Sequence, residues 1–166
     1  YMHKKGFPRG ERSKPLSYGG SIKVGGFTFS MVQAVHPSAL YAQEWLEKQE
    51  FYPDGGATGS VIRTEDGFSL YHAGDTDLFM DMKLIGQKYK PNIVILPIGG
   101  RYTMDLESAL IACSWLKPEI VIPMHYNTNP DLSIDEGLFA KAIKEQLPET
   151  RVEILQPGGT FNWEDK

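Results

Sequence analysis

The stretch Gly67-Phe-Ser-Leu-Tyr-His-Ala-Gly-Asp-Thr-Asp-Leu-Phe79 constrains the fold more than any other part of the chain. An apolar run closes on His72-Ala73-Gly74-Asp75-Thr76. A strand hands a carboxylate to the rim of a sheet in this way, and Gly74 allows a backbone conformation that other residues resist. Two more histidines stand in the same setting: His36 follows the strand-like run from Phe27 to Val35, and His125 follows Ile120-Val-Ile-Pro-Met124. Three potential metal ligands, each at the end of a strand, form a pattern that hydrolytic metal chemistry needs.

The rest of the chain supplies a frame for these ends. Ser21 to Val24 and Phe27 to Val35 read as strands joined across Gly25-Gly26. Phe27, Phe29 and Met31 alternate with Thr28, Ser30 and Val32, so one face of the second strand is expected to be buried. Ala39 to Glu50 can form a short helix, and Phe51 to Ser60 reads as a glycine-bearing loop. There Trp45, Phe51 and Tyr52 either line a substrate cleft or pack the loop down. Val61 to Thr64 and Phe68 to His72 form a hairpin over Asp66-Gly67, followed by a helix containing Leu78 to Gln87, which Asp77 is free to cap.

Ile93 to Pro97 and Ile120 to Met124 are short continuous apolar runs, as in buried strands. Between them a helix starts at Thr103 or Asp105, with Leu106, Ala109, Leu110, Cys113 and Leu116 on one face. Asp135 to Leu147 is amphipathic, with Leu138, Phe139, Ala142, Ile143 and Leu147 inward, and Arg151 to Leu155 and Thr160 to Trp163 are expected to close the chain as strands. Hairpins first and alternating strands and helices later predict a layered α/β fold.

With 166 residues the chain is read as one domain, 21–166, preceded by a polar lead-in over residues 1–20. A formal charge of −4 gives no encouragement to nucleic-acid or membrane-surface partners. Cys113 is the only cysteine, which excludes a disulfide framework, and its place on an apolar helix face makes it a core residue. No apolar run approaches the roughly 18 residues of a membrane span, and a cytoplasmic location is the expectation. The glycines near residue 55 are not followed by Gly-Lys-Ser/Thr, so they do not form a phosphate loop. An aspartyl-phosphatase reading of Asp75-Thr-Asp77 fails because Phe79 stands where that motif needs threonine, and Gly74 separates the aspartate from its strand.

Five blocks in order carry a specific resemblance: Tyr71-His-Ala-Gly-Asp-Thr76, Asp81-Met-Lys-Leu-Ile-Gly86, Leu96-Pro-Ile-Gly-Gly100, Thr103-Met104 and Ile122-Pro-Met-His-Tyr-Asn-Thr128. Together they resemble the UPF0173 metal-dependent hydrolases of metallo-β-lactamase fold, from about Gly19 to Thr160. The resemblance implies an αββα sandwich and two divalent metal ions, usually zinc, sharing a hydroxide that attacks an ester, lactone, amide or phosphodiester of a small-molecule substrate. It implies His36 and His125 as metal ligands and Asp75 as the bridging and catalytic carboxylate. His72 shares strand parity with Phe68 and Leu70, so it reads as a buried, hydrogen-bonded support beside them in preference to a direct ligand.

There are departures. The family's His-x-His-x-Asp-His motif, which supplies half of its ligands, does not occur in these 166 residues. Pro37 stands where the family has serine, and Asp105-Leu106 where it has Gly-Pro. The reading is therefore of an N-terminally truncated sandwich that by itself holds metal weakly, lacks hydrolysis and tends to form homo-oligomers through uncovered sheet. The alternative reading is an inactive remnant that serves as a binding module.

Overall fold

The structure, a computed structural model, describes residues 13–38 and 55–165. Strands β1 (Ser21–Val24), β2 (Phe27–Gln33), β3 (Thr58–Thr64) and β4 (Ser69–His72) form an antiparallel meander. The chain then changes to parallel crossovers: α1 (Met82–Tyr89), β5 (Ile93–Pro97), α2 (Leu106–Leu116), β6 (Ile120–Met124), α3 (Glu136–Gln146) and β7 (Arg151–Val152). All seven strands lie in one sheet in sequential order, and the described residues form no second sheet. Single 3-10 turns follow at Pro130–Leu132 and Trp163–Asp165.

Register explains the core. Ser30, Val61, Tyr71, Val94, Val121 and Val152 are paired across six strands and therefore share one face. That face packs on Ile85, Ala109, Cys113, Leu116, Phe139 and Ile143 from the three helices. Tyr71 and Phe139 are fully buried there; the phenylalanine contributes about 1.5–3 kcal/mol on burial, while the Tyr71 hydroxyl has no hydrogen-bond partner among the described residues and offsets part of its gain. On the other face the row Phe29, Ile62, Leu70, Ile93 and Ile120 runs from half-buried at the antiparallel end to buried at the parallel end. Cys113 belongs to the helical core, and burial pushes its thiol far up from the ordinary range.

Local expectations fail in instructive places. In β2 the deeply buried residues are Ser30 and Val32, while Phe27 is 48% exposed, because the helices cover the opposite face from the one its aromatics occupy. Leu138 is exposed and only Phe139 and Ile143 of α3 are buried, a narrower stripe than the apolar pattern implies. The last strand stops at Val152, and residues 160–163 form no strand. β3 begins at Thr58, three residues earlier than its apolar run. The helix expected at Ala39 to Glu50, with Trp45, Phe51 and Tyr52, lies outside the described residues.

Caps account for the helix starts. Asp105 accepts the Ser108 N–H at 2.8 Å and Asp135 accepts the Gly137 N–H at 2.9 Å. Asp77 does not cap α1: its carboxylate takes the Leu78 N–H at 2.7 Å, and the helix begins five residues later at Met82. At their other ends α1 and α2 stop on Lys90 (φ 44) and Lys117 (φ 50), both left-handed, whose N–H groups return to Gly86 and Cys113 carbonyls. The end of the lead-in is fixed to the sheet, with Gly19 N–H on the Met31 carbonyl at 2.9 Å and the Tyr18 hydroxyl on that of Ala57 at 2.9 Å. Among the described residues no helix is long and apolar enough to cross a membrane.

Candidate metal centre

The end of β4 is built from two constraints on one residue. Ala73 N–H still bonds the Ile95 carbonyl at 3.0 Å, which carries the chain one step beyond the strand. Gly74 then adopts φ +70, and a Cβ there would run into the Thr58 carbonyl, so both backbone and space demand glycine. Asp75 follows at the rim. His72 supports this turn, since its Nδ1 accepts the Gly74 N–H at 3.1 Å, which leaves the proton on Nε2. His72 is exposed, not buried as its strand parity predicts, because the helices cover the Tyr71 face of β4; the partial desolvation that remains holds its imidazole below its ordinary pKa, and the Asp75 charge opposes that shift.

Thr76 ties the Asp75 loop to the end of β2. Its hydroxyl accepts the Val35 N–H at 2.9 Å and donates to the Asp77 carbonyl at 2.8 Å, while Asp77 N–H bonds the Val35 carbonyl at 2.8 Å. Its own carbonyl accepts Met104 N–H at 3.1 Å, which adds the entry to α2. Thr76 is completely buried. His36, one residue past Val35, is thereby brought beside the Asp75 loop through the backbone.

The third strand end is β6. Ile98 N–H bonds the Met124 carbonyl at 3.0 Å, and His125 then turns left-handed at φ 58. A non-glycine residue held there stores about 1–3 kcal/mol. Gly99 permits the turn, because a Cβ on it would collide with the His125 carbonyl. The turn aims the imidazole at Asp75, with Nε2 3.8 Å from Oδ1. That gap is too long for a hydrogen bond. Two donors each roughly 2.0–2.2 Å from one zinc ion stand about 3.3–3.6 Å apart at a tetrahedral angle, and an angle opened to about 120–130° reaches the observed spacing. His125 Nδ1 is buried without a hydrogen-bond partner among the described residues, so no protein hydrogen bond there decides the tautomer. The residues present fit a shared divalent ion.

His36 is placed differently. Its Nδ1 donates to the Pro37 carbonyl at 2.6 Å, which leaves the Nε2 lone pair open to a metal. Yet among the described residues no three His, Cys, Asp or Glu side chains gather closely enough to hold an ion. Of the three sequence-derived ligands, Asp75 and His125 approach by side chain, and His36 is linked to them only through the backbone bonds of Val35 to Thr76 and Asp77. Two residues past His125, Asn127 is occupied by its own loop: Oδ1 accepts the Ile134 N–H at 2.9 Å and Nδ2 donates to Glu136 at 3.0 Å. Burial and then the Glu136 charge raise the Tyr126 phenol from its ordinary pKa. Sequence reasoning passed over Thr76, whose only signal was a small polar residue directly after the metal-loop aspartate.

The sequence model of the beta-lactamase superfamily domain matches residues 3–125. A UPF0173 metal-dependent hydrolase of Methanosphaerula palustris is 42% identical over 152 residues, covering 92% of this chain and 67% of that protein. The chain belongs to the UPF0173 family of the metallo-β-lactamase superfamily. Another UPF0173 relative, from Methanosphaera stadtmanae, is 43% identical over 151 residues, covering 90% of this chain and 62% of the relative. Among solved structures, Igni18, a metallo hydrolase from Ignicoccus hospitalis, superposes with TM-score 0.79 at 36% identity, covering 98% of this chain and 64% of that one. The metallo-β-lactamase fold protein YhfI from Bacillus subtilis, at TM-score 0.64 and 11% identity over 96% of this chain and 60% of its own, shares the fold. The chain thus spans about three fifths to two thirds of the length of these proteins.

Proposed function

We propose that this chain carries the His36, Asp75 and His125 portion of a metal-dependent hydrolase site. The observation that supports it is the 3.8 Å approach of His125 Nε2 to Asp75 Oδ1, made at a left-handed residue that Gly99 alone accommodates. Asp75 would be the carboxylate shared by the divalent ions, zinc in this reading, and His125 and His36 would supply nitrogen donors to them. Such ions supply Lewis acidity and lower the pKa of water from 15.7 to about 7, so that a nucleophile exists at neutral pH. The chain's own residues set the frame: His72 holds the turn through the Gly74 N–H, and Thr76 fixes the loop to β2. The substrate is a small molecule with an ester, lactone, amide or phosphodiester bond, in line with the hydrolase names of the relatives.

The described residues offer too few donors for tight binding, since a catalytic zinc keeps about three protein ligands. Zinc titration by calorimetry, with esterase and phosphodiesterase assays alongside, is the test. The expected result is weak zinc binding without turnover, lost in Asp75→Ala and in His125→Ala. Retention of near two equivalents after dialysis, with turnover abolished by chelator, would contradict the donor count. The second reading, a non-catalytic binding module of the same fold, is favoured by the absence of any three-donor cluster among the described residues. It predicts no zinc response that depends on Asp75 or His125.

A further inference from the structure

The end of the sheet opposite the candidate metal centre carries an unusual concentration of cations. The described residues contain eleven lysines and arginines, and six of them (Lys23, Arg63, Lys83, Lys88, Lys90 and Lys117) line two adjoining hollows that share Lys90. One hollow, about 570 Å³, lies between the last turns of α1 and α2 and the residues entering β5 and β6. The other, about 740 Å³, lies between α1 and the β3–β4 turn. None of the six has an ion-pair partner among the described residues, whereas three of the five cations elsewhere, Arg101, Lys141 and Arg151, do. In a chain of formal charge −4 this segregation is not compositional.

The cations are also held in place. Lys83 lies 4.7 Å from the Trp115 ring centroid, and Lys88 and Arg63 lie 4.9 and 5.7 Å from that of Tyr89. Lys90 and Lys117 occupy left-handed positions where glycine is the usual occupant. Lysine near a helix end does relieve the dipole, but Lys88 already does so from within the last turn of α1 without a left-handed backbone. On α1, Lys90 is therefore more than a cap, and Lys117, the basic residue at the end of α2, faces the same hollow. The acidic residues in the linings are Glu65 and Glu119; Glu119 accepts from Asn92 Nδ2 at 2.6 Å, and nearby Asp66 is bonded to the Thr64 hydroxyl. Counting these and a half-charge at each of two helix C-termini, a surplus of about two positive charges remains.

We infer that these hollows form a binding site for a small, multiply charged anion of the polyphosphate class, separate from the metal centre. The charges converge from α1, α2, β1 and β3 into concave space of small-ligand size, so a compact anion meets more of them at once than a flat macromolecular surface does. Phosphate oxygens would be met by Lys90 and Arg63 on one side and by Lys83 and Lys117 on the other.

The test is calorimetric titration of residues 1–166 with sodium tripolyphosphate at fixed ionic strength, with sodium sulfate as reference. Saturable one-to-one binding is expected, at least tenfold tighter than sulfate. Lys90→Gly and Lys117→Gly should each weaken it tenfold or more while melting no lower than the parent, because glycine suits both backbones. The double variant Lys141→Gln/Lys144→Gln, on α3, should bind within twofold of the parent. Binding no tighter than sulfate, full affinity in Lys90→Gly, or an equal loss in the α3 control would each overturn the site. A single-stranded oligonucleotide that binds more tightly than tripolyphosphate and displaces it would overturn the small-anion assignment.

Discussion

Replacing Thr76 with valine keeps shape and volume while removing one hydroxyl. The consequence follows from its bonds: Val35 N–H loses its acceptor and the Asp77 carbonyl loses its donor, both beside a fully buried side chain. A polar group left unsatisfied in such a place costs about 1–3 kcal/mol. Water reaching the more open of the two lowers the total, so about 2–4 kcal/mol is expected for the pair. For a chain of this size that is roughly a 5–15 °C fall in Tm. Thr76→Ser keeps both bonds and loses one buried methyl, about 1 kcal/mol. Thermal melting of the parent and both variants decides the matter. Valine should be clearly worse than serine, and the pairing of Asp77 N–H with Val35 should exchange faster in the valine protein. Equal stability of the two variants would refute the claim that this hydroxyl clamps the loop to β2.

Gly99→Ala should cost about 2 kcal/mol or more by urea denaturation, since the new methyl meets the His125 carbonyl and either the strand end or the turn must shift. An unchanged midpoint would show that His125 does not need that approach. Asp105→Ala should cost about 1 kcal/mol as the loss of a helix cap. The Ser108 N–H holds the Asp105 carboxyl below the ordinary value of 3.8, so its contribution is complete above that pH and disappears as pH falls through the lower folded value. Acid titration of stability should therefore show parent and Asp105→Ala converging only in that acid window.

The sequence disclosed the frame of the site because each strand end carried its own local signal. The apolar runs before His36, Asp75 and His125, the Asp66-Gly67 turn and the helix start at Asp105 all act over a few residues, where propensity and periodicity have force. Where sheet faces decide, local pattern failed. Phe27 and Phe29 look like the core of β2, yet the face that meets the helices is Ser30 and Val32, a choice made by crossovers distant in sequence. Asp77 looks like a helix cap, but its backbone is committed to Val35, so α1 starts later. Thr76 escaped notice because its importance lies wholly in partners from two other segments. The left-handed backbone of His125 likewise has no signal in its own residue type, and becomes intelligible only with Gly99, two residues past the end of the neighbouring strand β5.

The central claim is that Asp75 and His125 are co-ligands of one divalent ion. Long-range proton–nitrogen NMR on imidazole-labelled residues 1–166, recorded as zinc is added, reports on each ring nitrogen separately. Coordination should move the His125 Nε2 resonance, with a smaller response at Nδ1, and that movement should vanish in Asp75→Ala while the fold remains intact. His72, whose Nδ1 is held by Gly74, should respond far less. A His125 Nε2 resonance that ignores zinc, or one that moves equally in parent and Asp75→Ala, would contradict the account.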